Sequence, residues 1–194
     1  MTTTQILVLV VVVLAVAALA VFASFAWRRR RLQSRFGPEY DRVTADQQSR
    51  ASAERELLNR EKRYAELQLR PIDDANRERY AQQWREVQAQ FVTDPAAAVE
   101  AGDVLVTKVV AERGYPTQDY DEQLSLLSVE HARTLGHYRD AHDIFLSAQR
   151  GDVSTEQLRQ AFVHYREIFA DVLDEDRPTA KPPTTVDELP SSRR

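Results

Sequence analysis

Ile6-Leu7-Val8-Leu9-Val10-Val11-Val12-Val13-Leu14-Ala15-Val16-Ala17-Ala18-Leu19-Ala20-Val21-Phe22-Ala23-Ser24-Phe25-Ala26 carries no charge, and Ser24 is its only polar side chain. As an α-helix these 21 residues would rise roughly 31 Å, against a hydrocarbon core about 30 Å thick. Fourteen of them are Leu, Ile, Val or Phe. At about −0.3 to −0.6 kcal/mol each, they favour insertion by about 4 to 8 kcal/mol. The many valines do not argue for a strand, because a lone strand in lipid leaves its backbone groups unpaired. The stretch is therefore read as a single membrane-spanning helix, from Ile6 through Leu14 to Ala26.

The flanks orient it. Met1 to Gln5 has no charged side chain, whereas the other side opens with Trp27, Arg28, Arg29, Arg30 and Arg31, followed by Arg35. Trp suits the membrane interface, and basic clusters are retained in the cytoplasm. The expected topology is single-pass in the cell membrane, N-terminus outside and the remainder cytoplasmic. The arginines can also attract anionic lipid at about 1 kcal/mol each. A cleaved signal peptide is the alternative, leaving a secreted helical protein. Ser24-Phe25-Ala26 resembles a small-x-small cleavage site, but the basic n-region is missing and the apolar run exceeds an h-region of about 7 to 15 residues.

The chain has 194 residues, a net charge of −4 and no cysteine. No disulfide framework or thiolate metal site is available to it. Arg28 to Arg70 holds 12 basic and 7 acidic residues, Pro71 to Leu173 holds 10 and 18, and Asp174 to Arg194 holds 4 and 5. A distal part at net −8 repels lipid phosphates and nucleic acid alike, so no nucleic-acid partner is expected.

Beyond the anchor and its basic stop, residues 1–31, Gly37 and Pro38 interrupt the helix. Pro38 suits a first helical position and Glu39 and Asp41 a first turn. From Pro38 to Leu69 one long helix of about 48 Å is expected, so residues 32–70 are read as a stalk. Its middle, Thr44 to Glu56, is polar all round. The best coiled-coil register, Tyr40, Val43, Gln47, Arg50, Glu54, Leu57, Glu61 and Tyr64, is only half apolar, where a coiled coil needs sustained a and d positions.

Pro71 ends that helix. The next is expected over Asp73 to Val92, with Tyr80, Trp84, Val87, Gln88 and Phe91 on one face. Thr93-Asp94-Pro95 caps another, which runs to Arg113 with Ala98, Gly102, Leu105 and Val109 in a stripe and stops at Gly114. A short helix over Thr117 to Leu127 follows. Ser128 is expected to cap a helix reaching Gly151, with Leu135, Tyr138, His142, Phe145 and Gln149 in line. Ser154-Thr155-Glu156-Gln157 reads as a capping box for a last helix with Leu158, Ala161, Phe162, Tyr165, Phe169 and Val172 inward. Residues 71–173 are thus expected to form an acidic antiparallel helical bundle. Residues 174–194, with Pro178, Pro182, Pro183 and Pro190, read as a disordered tail. The fold class is all-α.

Several strings occur together: Arg35-Phe36-Gly37-Pro38-Glu39-Tyr40-Asp41-Arg42, Trp84 through Val92, Arg113-Gly114-Tyr115-Pro116, Ser128-Val129-Glu130-His131 and His164-Tyr165-Arg166. With them the chain resembles, from about Phe36 to Leu173, a widespread family of small bacterial proteins of unassigned function, common in actinobacteria. The resemblance implies an N-terminal hydrophobic segment, a charged helical domain and a bacterial source. It supplies no site residue.

Chemistry-bearing patterns are sparse. His137 and His142 lie about 140° apart around a helix, whereas metal-binding pairs share a face. No histidine follows a Glu at the di-iron spacing. No metal ligand, catalytic residue or cofactor is therefore assigned. His-Tyr-Arg occurs at His137 and again at His164, and is read as a helix-surface coincidence. Asp119-Tyr120-Asp121-Glu122 lacks the glycine of a calcium loop. The expected function is a membrane-tethered interaction or scaffold module with the lipid bilayer and a protein as partners. The alternative is a ligand-binding or enzymatic bundle with an interhelical pocket of Tyr138, His142, Tyr165 and Arg166.

Overall fold

A computed structural model describes residues 3–174. The expected proline-rich tail beyond Asp174 lies outside them. The described residues form eight α-helices and no strand: α1 (Thr3–Phe36), α2 (Pro38–Asp46), α3 (Arg50–Ala65), α4 (Asp74–Gln90), α5 (Pro95–Arg113), α6 (Tyr120–Leu127), α7 (Leu135–Gln149) and α8 (Thr155–Asp174).

α1 is a single helix of 34 residues in which the apolar run continues without a break through Trp27 and the arginines. Its segment Val12–Phe36 is long and apolar enough to cross a membrane, a criterion that a signal sequence also meets. From Val12 to Trp27 its large apolar side chains are exposed, Phe22 at 73%. Two turns further, Leu32 and Phe36 are buried. The helix ends at Gly37, whose φ of 47° is a left-handed value that favours glycine, and Pro38 opens α2 as expected.

The expected single stalk helix is two helices. The chain leaves α2 at Gln47, whose backbone is extended, and Ser49 starts α3 through a reciprocal capping box with Ser52. α2 and α3 then pack on each other and on the end of α1. Leu32, Phe36, Tyr40, Val43, Ala53, Leu57 and Val129 form a core of their own. The half-apolar heptad register is therefore not one coiled-coil seam. Its apolar members Tyr40, Val43 and Leu57 meet across a turn instead of lining one rod.

A larger core is shared by α4, α5, α7 and α8. Trp84 stacks on Phe162 and Phe169, with ring centroids 5.1 and 4.8 Å apart. Gly102 faces Tyr165 and Trp84, so the α5 stripe meets aromatic side chains from both neighbours. Gln88 is exposed while Tyr80 and Trp84 are buried. Gly114 ends α5 at a φ of 101°, the left-handed cap expected there. α6, expected from Thr117, starts at Tyr120 with Asp119 as its cap. Ser128 caps no following helix. It ends α6, its hydroxyl donating to the Ser125 carbonyl at 2.6 Å, and α7 starts only at Leu135 after a turn. Ser154 and Gln157 form the expected capping box of α8.

Candidate functional site

The two cores meet at a buried carboxylate. Glu39, in the first turn of α2, is 3% exposed. Arg139 on α7 donates to both its oxygens at 2.7 and 2.8 Å, and Arg60 on α3 donates to one at 2.9 Å. Burial alone would raise the Glu39 pKa, but the two guanidiniums outweigh it and hold the carboxyl below the usual carboxylate range. Arg60 also reaches Ser128 Oγ at 3.3 Å, and Arg63 donates to Ser125 Oγ at 2.8 Å and pairs with Glu122. α3 is thus joined to α6 through polar contacts that involve both Arg60 and Arg63.

The arginines next to the apolar run divide into two groups. Arg31 pairs with Glu61 at 3.6 Å, and Arg35 with Glu61 at 3.5 Å and Glu130 at 2.6 Å. Arg29 acts on the Tyr40 phenol. Trp27, Arg28 and Arg30 are exposed, and Arg28 and Arg30 form no ion pair among the described residues. Exposed cations and an exposed Trp therefore occupy the same helical turns that dock, on their other side, into the domain.

Of the residues expected to line an interhelical pocket, three come together. Tyr138 and Tyr165 are buried with rings edge to face, 6.1 Å apart. Tyr165 donates to Asp103 Oδ1 at 2.7 Å, and His142 Nδ1 lies 3.2 Å from the same oxygen. Tyr120 stacks on the His142 ring at 4.1 Å. Arg166 is exposed and lies outside this group. Asp103 and Tyr120, which hold the group together, carried no sequence signal: Asp103 follows Gly102 on a helix read for its apolar stripe, and Tyr120 sits beside the Asp119 cap.

Burial, then the Asp103 charge, pushes the Tyr138 and Tyr165 phenols above their ordinary value, and burial and Tyr138 do so for Tyr120. All three stay neutral at physiological pH and act as donors or packing surfaces, not as phenolates. The nearest description of the group is a polar knot tying α5 to α7 and α8. A cleft of about 530 Å³ lies elsewhere, between α4 and α5, lined by Val87, Ala97, Ala101, Val104, Glu86 and Glu100 among others.

A second meeting of α7 and α8 involves the two His-Tyr-Arg strings. His137 and His164 lie edge to face with ring centroids 4.6 Å apart, and Glu167, one turn beyond His164, contacts His137 Nδ1. One ligand atom from each of the three lies within 4.8 Å of the others. His131, by contrast, is buried against Asp171, with Nδ1 3.0 Å from the carboxylate.

Comparison with family models, curated proteins and solved structures gives no match. The class is therefore defined by architecture alone: an all-helical chain with one N-terminal helix long and apolar enough to span a membrane.

Proposed function

We propose that this chain is a single-pass membrane protein that holds an antiparallel helical bundle at a fixed position against the cytoplasmic face, where it docks a protein partner. One observation carries the reading. The helix that exposes Phe22 and Phe25 also buries Leu32 and Phe36 in the core beside it. Anchor and domain share one rigid rod, so the anchor sets where the domain sits. A flexible tether would leave that position free.

The sidedness rests on Arg28 and Arg30, which stay exposed beside Trp27, since basic residues at a span's end remain cytoplasmic. The partner surface is the α4–α5 groove. Val104 is exposed there, at 45%, and Glu86 and Glu100 outnumber Lys108 around the apolar floor. An amphipathic helix of another protein, with an apolar stripe and basic edges, complements it.

Protease added outside spheroplasts should leave residues 38–174 intact, and the mature chain should retain residues 6–26. Digestion of the domain from outside, or a mature chain that starts at Trp27 in the medium, rejects the tether. A photo-crosslinker at Val104 should capture one discrete protein that the same probe at Arg159, on α8, does not; equal yields at both positions reject the groove.

A further inference from the structure

The two histidines that α7 and α8 bring together edge to face lie apart from the α4–α5 groove. Their Nδ1 atoms are shielded from solvent, and neither makes a hydrogen bond among the described residues. The Glu167 carboxylate lies against His137 Nδ1 without hydrogen-bond geometry. Shielded imidazole nitrogens normally find a proton donor or acceptor. Here what faces them is another imidazole and an anion, the surroundings that suit a cation.

We propose that His137, His164 and Glu167 bind one divalent transition-metal ion, with zinc the best-suited test ion, bridging α7 and α8. Two imidazoles and a carboxylate are a ligand set that zinc accepts, with the fourth position left to water. Zn–N bonds of about 2.0–2.1 Å put ligand atoms of one tetrahedron roughly 3.3 Å apart. The three ligand atoms already lie within 4.8 Å of one another, so side-chain rotation completes the site without moving either helix. Glu167 follows His164 by three positions, which places both on one face of α8. Side chains of His137 and Glu167 are each 44% exposed, so an ion can enter from solvent. The chain has no cysteine, so the site disfavours the soft ions that select thiolates.

The site can be titrated with zinc chloride on the full chain in detergent micelles, with any affinity tag removed and the protein first treated with chelator. Calorimetry should give one zinc per chain, and the melting temperature should rise with zinc concentration. Cobalt(II) should give the visible absorption of a four-coordinate site. His164→Gln and Glu167→Gln should each weaken zinc at least about tenfold, while His142→Gln leaves it unchanged. Circular dichroism of each variant shows whether it is folded. Should one of them fail to fold, diethylpyrocarbonate modification of the native chain gives the same answer, since zinc should protect His137 and His164 selectively. No saturable zinc binding, binding unchanged in both His164→Gln and Glu167→Gln, or equal modification with and without zinc would overturn the proposal.

Discussion

Arg139 donates two parallel hydrogen bonds to Glu39 although 100 residues separate them in sequence. The pair fastens α2, the helix after α1, to α7, and Arg60 completes it from α3. Arg60 and Arg139 are themselves largely buried, with side chains 14% and 12% exposed. Glu39→Ala would leave the Arg139 guanidinium in the interior without an anion, and Arg60 with Glu56 alone. A loss of about 3–5 kcal/mol is expected, measured by chemical denaturation in micelles. Arg139→Lys keeps the charge but cannot make the two-pronged contact, and should lose about 1.5–3 kcal/mol.

Stability should fall on the acid side. The Glu39 and Asp171 carboxyls both sit below their ordinary values of 4.5 and 3.8. For each, burial opposes the shift; the guanidiniums overcome it at Glu39, and hydrogen bonds from His131 and Thr134 do so at Asp171. A depressed folded-state pKa stabilises the fold above the unfolded-state value, and the gain disappears as pH drops through the folded-state value. Denaturation midpoints should hold near neutrality and decline below about pH 4.5. Glu39→Gln should flatten part of that decline.

Two tyrosines in the knot should respond oppositely to loss of a hydroxyl. Tyr165→Phe removes a donor to the Asp103 carboxylate and should cost about 1.5–3 kcal/mol. The Tyr120 hydroxyl is buried and has no hydrogen-bond partner among the described residues. Tyr120→Phe deletes that unsatisfied group, so it should be neutral or stabilising by about 1 kcal/mol. Thermal melts of the two variants side by side make the comparison.

Two glycines differ in the same way. A Cβ at Gly114 would stand 2.7 Å from the Gln68 carbonyl oxygen, at a φ of 101°. Gly114→Ala should cost more than about 1 kcal/mol. At Gly102 the nearest atoms, on Tyr165 and Trp84, are 3.8–3.9 Å away. Gly102→Ala should stabilise α5 by about 0.5–1 kcal/mol, read as a rise in melting temperature.

Phe36 is fully buried at the end of the helix that carries the apolar run. Phe36→Ala should cost about 3–5 kcal/mol and loosen the junction. In proteoliposomes, limited proteolysis should then cut between residues 37 and 49 faster than in the unchanged chain, while cleavage at the α5–α6 connection stays the same. Equal rates at both places would mean that α1 and the domain are not coupled through this side chain.

Helices α4, α5 and α8 of the distal domain were legible because each has a long periodic stripe and a local cap, whereas the start of α7 was not, since Ser128 closes α6 instead of capping a new helix. Trp84 and Phe91, the α5 stripe ending at Gly114, and Ser154 with Gln157 all lie where periodicity and caps put them. The α2–α3 turn was not legible. Its apolar residues are two or three per helix, Tyr40 and Val43 on one and Ala53 and Leu57 on another, and they are completed by Leu32, Phe36 and Val129 from elsewhere. No single helix carries enough of that core to show a period.

The amino-acid order alone settled that the chain is helical and begins with a rod able to span a membrane, because charge-free length and 3.6-residue repetition act within one segment. Tertiary structure decided everything that depends on two segments: Glu39 between Arg60 and Arg139, Asp103 under Tyr165 and His142, and His137 against His164. Each of these joins side chains from different helices, and their meeting is set by how apolar faces pack, a relation that spacing along one helix does not contain.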